Sequence, residues 1–343
     1  MNYEEKEYDS AIENLKNAAN LKPNSEYSWY WLGRAYYSDE DYNKATESLN
    51  KAVNLNPNDE YNWYWLGLSY LYNKDYNKAI ESLNKAVNLN PNDEYNWYWL
   101  GGAYYNNKDY NKAIESFNKA VNLNPNEESY WYWLGRAYLE NKYYNEAIES
   151  LNKAVNLNPN DEYNWYWLGL SYLYNKDYNK AIESFNKAVN LNPNKENYWY
   201  WLGMAYLYNQ NYNKVVESLN KAVNLNPNNE SYWYWLGNAY LENKEYNKAV
   251  ESLNKAINLN PNKESYWYEL GSAYLENKEY NKAIESLKKA VELNSQISTY
   301  YRVLGDAYRI INDKVNAREA YMKSLELKPD DSKAEEGLEL LNK

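Results

Sequence analysis

The chain has 343 residues, of which 25% are charged, and its formal net charge is -11. This acidic balance argues against nucleic acid as a partner, because a phosphate backbone requires a basic surface. The chain has no histidine and no cysteine, so the usual residues of imidazole catalysis, thiolate nucleophiles and zinc sites are missing. We therefore predict no enzymatic activity, no catalytic or metal site and no cofactor.

The same composition predicts a chain outside the membrane. Mean hydropathy is -0.99, and no run approaches the roughly 20 apolar residues that span a bilayer. The first ten residues, MNYEEKEYDS, are acidic and lack the basic and apolar regions of a signal peptide. The cytoplasm is therefore the default expectation for localisation.

A period of 34 residues runs along the sequence. It is set by the glycines Gly33, Gly67, Gly101, Gly135, Gly169, Gly203, Gly237, Gly271 and Gly305. Prolines keep the same step from Pro23 to Pro261, Ser295 replaces the next one, and Pro329 resumes the series. A strict period predicts one elongated array of repeats rather than several globular domains.

Each repeat is predicted to form two helices, as residues 60–93 illustrate with repeat positions 1 to 34. Positions 1 to 14 carry a helical stripe of Trp63, Leu66, Gly67 and Tyr70. After a break, Asp75 is a plausible N-cap for a second helix. That helix has the apolar stripe Tyr76, Ala79, Ile80, Leu83, Ala86 and Val87. A glycine inside helix one predicts close helix packing at Gly67, with Ala79 and Ala86 facing it.

The residues at repeat positions 4, 7, 8, 11, 20, 24, 27 and 32 resemble the tetratricopeptide repeat; in this unit they are Trp63, Leu66, Gly67, Tyr70, Ala79, Leu83, Ala86 and Pro91. The resemblance implies an all-α fold, an α-solenoid in which helix-turn-helix repeats form a right-handed superhelix. Nine units cover residues 26–331. Residues 1–25 resemble the second helix of a partial repeat, which suggests a piece of a longer array. Residues 332–343 predict a C-terminal capping helix.

The second helices also carry a recurrent charge pair four residues apart. Its members are Glu47/Lys51, Glu81/Lys85, Glu115/Lys119, Glu149/Lys153, Glu183/Lys187, Glu217/Lys221, Glu251/Lys255, Glu285/Lys289 and Glu319/Lys323. Such pairs stabilise a helix by about 0.2–0.5 kcal/mol each. We interpret this face as solvated and self-paired rather than as a docking surface.

Repeat positions 2, 5, 6, 9 and 13 lie on the arc of helix one that points away from its core stripe. The resemblance implies that this arc lines the concave groove where the family binds peptides. The predicted partner-binding residues are Tyr30, Trp31, Arg34, Tyr64, Trp65, Leu68, Tyr98, Trp99, Tyr132, Trp133, Arg136, Tyr166, Trp167, Leu170, Tyr200, Trp201, Met204, Tyr234, Trp235 and Asn238.

Two interpretations of these aromatic residues remain open. The tyrosines of position 5 are predicted mainly to pack on the neighbouring unit, as buried tyrosines do well. The tryptophans of position 6 are predicted to face a ligand, because seven exposed indoles would form a large apolar patch. Thus Trp63 is predicted to be core and Trp65 to be the partner-facing residue. Position 9 varies between units, which indicates either recognition or neutral surface drift.

Two polar binding modes of the family do not fit this chain. The carboxylate clamp needs Lys and Asn at positions 5 and 9, where residues 60–93 have Tyr64 and Leu68. The asparagine ladder uses position 6, where Trp65 stands. We therefore predict a scaffold that binds an extended peptide, Pro-rich or apolar, through aromatic contacts. The alternatives are a carbohydrate-binding module and a structural array that self-associates as a homo-oligomer.

Overall fold

The computed structural model describes residues 3–342, with side chains from residue 10 onward. All regular structure in this range is helical, which confirms the predicted all-α class. The helices are α1 Tyr3–Leu21, α2 Glu26–Ser38, α3 Tyr42–Leu55, α4 Glu60–Tyr72, α5 Tyr76–Leu89, α6 Glu94–Asn106, α7 Tyr110–Leu123, α8 Glu128–Glu140, α9 Tyr144–Leu157, α10 Glu162–Tyr174, α11 Tyr178–Leu191, α12 Glu196–Tyr208, α13 Tyr212–Leu225, α14 Glu230–Glu242, α15 Tyr246–Leu259, α16 Glu264–Glu276, α17 Tyr280–Leu293, α18 Ser298–Ile310, α19 Lys314–Leu327 and α20 Ser332–Leu340. The chain divides into two compact units, residues 1–175 and 176–343.

The helix boundaries follow the side chains that cap them. The carboxylate of Asp59 accepts hydrogen bonds from the backbone at the start of α4, and that of Asp75 accepts one from the Lys78 amide at the start of α5. Such caps satisfy amides that have no partner within the helix. The predicted N-cap role of Asp75 is therefore confirmed, and the predicted end of the first helix lies within one residue of Tyr72.

The two helices of a repeat approach closely at the periodic glycine, as predicted, and a leucine that was not predicted lies nearest to it. A Cβ atom added to Gly67 would lie 2.5 Å from Leu83 Cγ. Leu83 therefore fills the space above the glycine, and the equivalents of Ala79 in three other repeats, Ala147, Ala249 and Ala283, place their carbonyl oxygens 3.3–3.4 Å from the corresponding Cβ position. The leucine lies nearest because its branched side chain reaches across to the backbone of α4.

A left-handed residue closes the turn between the two helices of each repeat. The residues with positive φ are Glu40, Lys74, Lys108, Lys142, Lys176, Gln210, Lys244, Lys278 and Asn312, with φ between 58° and 65°. Side chains with a Cβ atom are disfavoured in this region, whereas glycine adopts it readily. The turns are thus made by residues that are not optimal for them.

Replacing Lys108 by glycine is expected to stabilise the protein by about 0.5–1 kcal/mol, because glycine removes the steric cost at φ 62°. The matched control is Lys119→Gly, an exposed position inside α7. That change should destabilise by about 1 kcal/mol, the usual helical cost of glycine. Thermal unfolding midpoints measure both. A loss of stability on Lys108→Gly would contradict the steric explanation.

The tryptophan of position 4 joins its helix to the preceding proline loop. Its indole N–H donates to a proline carbonyl oxygen at 2.8–2.9 Å in eight repeats, from Trp29 to Trp267. Trp63 packs against the core but is only half-buried, so its assignment as a core residue was wrong. The indole lies at the edge of the core because its N–H must reach the loop.

Successive repeats contact each other through two sets of helices. Within residues 1–175, each second helix packs on the next first helix, and Asn50 Nδ2 donates to the Tyr70 hydroxyl at 2.8 Å. The first helices α2, α4, α6, α8 and α10 also contact one another in order. The arc that carries positions 5, 6 and 9 is therefore partly covered by a neighbouring helix.

The ion pairs of the second helices differ from the predicted spacing. The described pairs mostly join residues three apart, such as Asp75 with Lys78 at 3.0 Å and Asp109 with Lys112 at 3.1 Å. Lys51, predicted to pair with Glu47, instead places its Nζ atom 3.8 Å from the centroid of the Trp29 ring. Lys78 and Lys112 pair with the N-cap carboxylates of their helices because each lysine lies on the first turn, next to the carboxylate.

The ends of the array are covered by single helices. Helix α1 packs on α2, where a partial repeat was predicted. Helix α20 packs on α18 and α19, and its Ala334 lies in a buried cluster with Tyr321. The division of the chain into a partial repeat, nine units and a capping helix stays a prediction.

Candidate functional site

The tryptophans of position 6 lie between consecutive first helices. In residues 1–175 they are half-buried, and each packs edge-on against the preceding tyrosine of position 5. The centroid distances are 5.2–5.5 Å for Tyr30/Trp31, Tyr64/Trp65, Tyr98/Trp99, Tyr132/Trp133 and Tyr166/Trp167. These indoles thus combine a packing role with a remaining exposed part.

Two arginines of position 9 occupy the space between successive indoles. The Arg34 guanidinium carbon lies 4.8 Å from the centroid of Trp31 and 4.5 Å from that of Trp65. The Arg136 guanidinium carbon lies 4.5 Å from Trp133 and 4.3 Å from Trp167. Both cations are stacked on aromatic faces, an arrangement that is attractive in itself.

Aliphatic residues fill the same position in other repeats. Leu68 is 2% exposed and packs with Trp65 and Trp99. Leu170 and Met204 are buried as well. These three residues were predicted to line the groove, but their side chains offer no surface to a partner. The prediction failed because a helical wheel gives the direction on one helix and omits the indole of the next repeat.

Gly102 is the exception among the residues of position 9. Apart from its chain neighbours and the nearby backbone of its own helix, a Cβ atom placed on Gly102 would meet no heavy atom within 4 Å. By repeat equivalence with Arg34, Leu68 and Arg136, this open space lies between Trp99 and Trp133. We call it the Gly102 slot.

Aromatic rings in residues 1–175 follow one another in contact across three repeats. The ring centroids are 5.9 Å apart for Tyr27 and Trp31, 5.1 Å for Tyr37 and Trp65, and 6.2 Å for Tyr72 and Trp99. Tyr37 and Tyr72 are 5.6 Å apart, and Arg34 bridges Trp31 and Trp65. We call this surface the aromatic strip, composed of Tyr27, Trp31, Arg34, Tyr37, Trp65, Tyr72 and Trp99.

The most exposed aromatic residues flank the indoles. At position 2, Tyr27 is 65% exposed and Tyr61 is 55% exposed, and at position 13 Tyr72 is 45% exposed. Position 2 was placed on the same arc by the sequence pattern, but its tyrosines were not among the predicted binding residues. The sequence feature that could have identified these tyrosines is the polar residues around them at the start of the helix, which leave the ring exposed.

The sequence analysis also missed the tyrosines of position 12. Tyr37 and Tyr105 stand where six other repeats have leucine. The Tyr105 hydroxyl accepts a hydrogen bond of 3.0 Å from Arg136 Nη2. Burial raises the pKa of Tyr105 to about 12, and the Arg136 charge opposes part of that rise. A departure from leucine in two repeats is the signal that could have identified them.

The tyrosines of position 5 are held mainly by packing. Tyr98 contacts Phe117 and Tyr130, with centroid distances of 6.0 Å and 5.0 Å. Burial raises the pKa of Tyr98 to about 12 because the phenolate would lose its solvation. This geometry favours the interpretation of position 5 as an interface between repeats.

The second unit carries two predicted site tryptophans, Trp201 and Trp235, and both are half-buried. They pack edge-on against Tyr200 and Tyr234 at 5.3 Å and 5.2 Å. The next residue of position 6 is Glu269, whose pKa is raised to about 7 by burial and by the negative charge of Glu242. After seven tryptophans, position 6 is therefore occupied by a poorly solvated carboxyl group.

No group of three or more acidic, histidine or cysteine residues suited to a metal ion occurs in the described part of the chain. In residues 3–342, no helix combines the length and the apolar character that a bilayer-spanning segment requires.

Comparisons with known proteins place these repeats. A family model described as anaphase-promoting complex, cyclosome, subunit 3 matches residues 4–86, 73–154, 150–222 and 218–290. A tetratricopeptide repeat model matches residues 265–332. A comparison with curated proteins gives no match.

Several solved structures are similar to this chain. A tetratricopeptide repeat protein from Parabacteroides merdae shares 17% identity over 73% of this chain and 99% of its own, with a TM-score of 0.52. YrrB, described as a tetratricopeptide repeat protein with an unusual peptide-binding site, shares 21% identity over 53% of this chain and 94% of its own, with a TM-score of 0.49. MamA from Desulfovibrio magneticus shares 28% identity over 48% of this chain and 92% of its own, with a TM-score of 0.46.

The four matches of the first model overlap and follow the repeats, so what they recognise is the helix-turn-helix unit itself. Together they span most of the chain, and the paired helices of the structure agree with them. The chain therefore belongs to the tetratricopeptide-repeat family, through the repeats that the model for subunit 3 of the anaphase-promoting complex describes, and repeats of this family form scaffolds for protein–protein interaction.

Proposed function

We propose that residues 1–175 bind an extended, Pro-rich or apolar peptide along the aromatic strip. The observation that carries the proposal is the series of contacts from Tyr27 to Trp99, in which rings touch one another and the Arg34 guanidinium bridges Trp31 and Trp65. Its outer members Tyr27 and Tyr72 are exposed although they are large and aromatic. A contiguous aromatic surface of this kind is typical of interaction sites.

The spacing of the strip suits a polyproline II peptide. Helices packed side by side are about 8–10 Å apart, and one polyproline II turn rises about 9.3 Å. One turn of peptide could then meet one repeat, with proline rings against indole and phenol faces. The stacked guanidinium groups of Arg34 and Arg136 already have aromatic partners. Recognition would therefore depend on apolar contact rather than on a carboxylate clamp.

The experiment that tests this proposal compares exposed tyrosines on and off the strip. The strip variant carries Tyr27→Gln and Tyr72→Gln, both at exposed positions whose replacement leaves the buried core intact. The control is Tyr143→Gln, an exposed tyrosine in the turn before α9. Each protein is applied to an array of Pro-rich and apolar peptides and to a glycan array.

We expect the unaltered protein and the control to retain the same peptides and the strip variant to lose at least about tenfold in affinity, since two lost aromatic contacts exceed about 1.4 kcal/mol. Circular dichroism checks that all three proteins are folded. Binding to glycans and to no peptide would contradict the proposal in favour of a carbohydrate module. Equal peptide binding by the strip variant would also contradict it.

A further inference from the structure

The geometry points to the Gly102 slot as the anchoring point for an aliphatic side chain of leucine or methionine size in the bound peptide. This inference deepens the proposed function, on which it rests. It attributes the peptide specificity of the groove to the absence of a side chain at Gly102. The slot is the one position-9 site in α2, α4, α6 and α8 at which the chain supplies no side chain between successive indoles.

The other repeats show which groups fit between two indoles of position 6. Leu68 fills the space between Trp65 and Trp99 and is almost fully buried there. Met204 is buried at the same repeat position in the second unit. An aliphatic side chain of four heavy atoms therefore matches the volume. At Gly102 the backbone leaves that volume open, since a Cβ atom there would touch nothing within 4 Å.

The positive charge of Arg136 next to the slot favours an aliphatic side chain over a guanidinium group as the occupant. Arg136 lies against Trp133, which is one wall of the slot, and it donates to the Tyr105 hydroxyl one turn after Gly102. A second cation on the other side of Trp133 would be repelled by Arg136. The sequence shows the same avoidance, because Arg34 and Arg136 at position 9 are each followed by leucine in the next repeat.

The peptide enters from the surface that the strip exposes. Trp99 ends the strip and also forms a wall of the slot, so a peptide lying on Tyr72 and Trp99 is led to Gly102. In a polyproline II segment, every third residue returns to the same side. A single leucine among prolines can therefore enter the slot while the neighbouring turns contact the strip.

A first experiment tests the slot without any peptide. Gly102→Leu should raise the midpoint of thermal unfolding by more than Gly102→Ala does, because the leucine side chain is buried as Leu68 is. Gly102→Arg should raise it less than leucine, since Arg136 opposes a second cation. If Gly102→Leu gains no more than Gly102→Ala, the slot does not accept an aliphatic side chain and the inference fails.

A second experiment uses fluorescent heptapeptides in which three prolines flank a central residue on each side. The central residue is leucine, alanine or arginine, and fluorescence anisotropy measures their affinities for the unaltered protein and for Gly102→Leu. We expect the leucine peptide to bind about tenfold more tightly than the alanine and arginine peptides, as burial of a leucine side chain implies. In Gly102→Leu this preference should disappear because the slot is already filled.

The outcomes separate the two proposals. Equal binding of all three peptides to the unaltered protein, or an unchanged leucine preference in Gly102→Leu, would overturn the slot and leave the groove in place. Absence of binding by every peptide here and in the array would contradict the proposed function. The thermal comparison of Gly102→Leu with Gly102→Ala then decides the slot alone.

Discussion

Replacing Gly101 by alanine is expected to lower the midpoint of thermal unfolding, whereas the same replacement of its neighbour Gly102 is expected to raise it. A Cβ atom on Gly101 would lie 2.7 Å from the ring of Phe117, which is fully buried. Overpacking of a core costs about 1–3 kcal/mol, and it outweighs the gain of up to about 1 kcal/mol from helix propensity.

Gly102 differs only in the space around it. A Cβ atom there meets nothing within 4 Å, and no glycine in the described range has a positive φ. Gly102→Ala should therefore gain about 1 kcal/mol from helix propensity. The two variants share chemistry, helix and sequence neighbourhood. Similar midpoints for both would show that α6 and α7 are less tightly packed at Gly101 than the structure indicates.

A second large effect is expected at Glu269, which should make the protein less stable as the pH rises from about 4.5 to about 7. Burial and the nearby Glu242 charge raise the pKa of this carboxyl group to about 7 in the folded state. In the unfolded chain the pKa is that of an ordinary glutamate, about 4.3. Between these two values the folded state holds a proton that the unfolded state has released.

The sign follows from proton linkage. Because the folded state binds more protons in this window, the free energy of unfolding decreases with rising pH. The full effect is on the order of 2 kcal/mol, allowing for the partial exposure of the side chain. Glu269→Gln cannot ionise, so it should unfold at a higher temperature than the unaltered protein at pH 8 and at a similar temperature at pH 4.

Glu242→Gln provides the matched control. Glu242 is exposed, and its charge is the smaller of the two causes that raise the Glu269 pKa. Its replacement should therefore remove part of the pH dependence, and Glu269→Gln should remove more. Urea denaturation at several pH values measures both. If Glu269→Gln keeps the slope of the unaltered protein, another group is responsible.

The helices and their pairing were predictable because they depend on local patterns. The stripe of Trp63, Leu66, Gly67 and Tyr70 and the N-cap Asp75 are readable within one repeat. These features recur every 34 residues, so one repeat predicts the others. The resulting helix ends agree with the structure to within a residue.

The site was less predictable because it depends on contacts between repeats. The sequence separates Trp63 from Trp65 by direction on one helix, yet both indoles are half-buried. Trp63 reaches outward to the proline loop, and Trp65 is covered by Arg34 and Tyr37 of the preceding repeat. A helical wheel contains neither neighbour. Leu68 was misplaced for the same reason.

All fifteen tryptophans of the chain lie on the first helices of repeats, between Trp29 and Trp267. Those of position 6 in residues 1–175 lie within about 6 Å of a tyrosine ring, a separation at which tyrosine excitation passes efficiently to the indole. Tryptophan emission, whether excited directly or through a neighbouring tyrosine, therefore reports the first helices of the repeats up to α16, because α1 and α17–α20 contain no tryptophan. Circular dichroism weighs every helix alike. A difference between the melting curves from tryptophan fluorescence and from circular dichroism therefore shows whether the end helices unfold before the rest of the array.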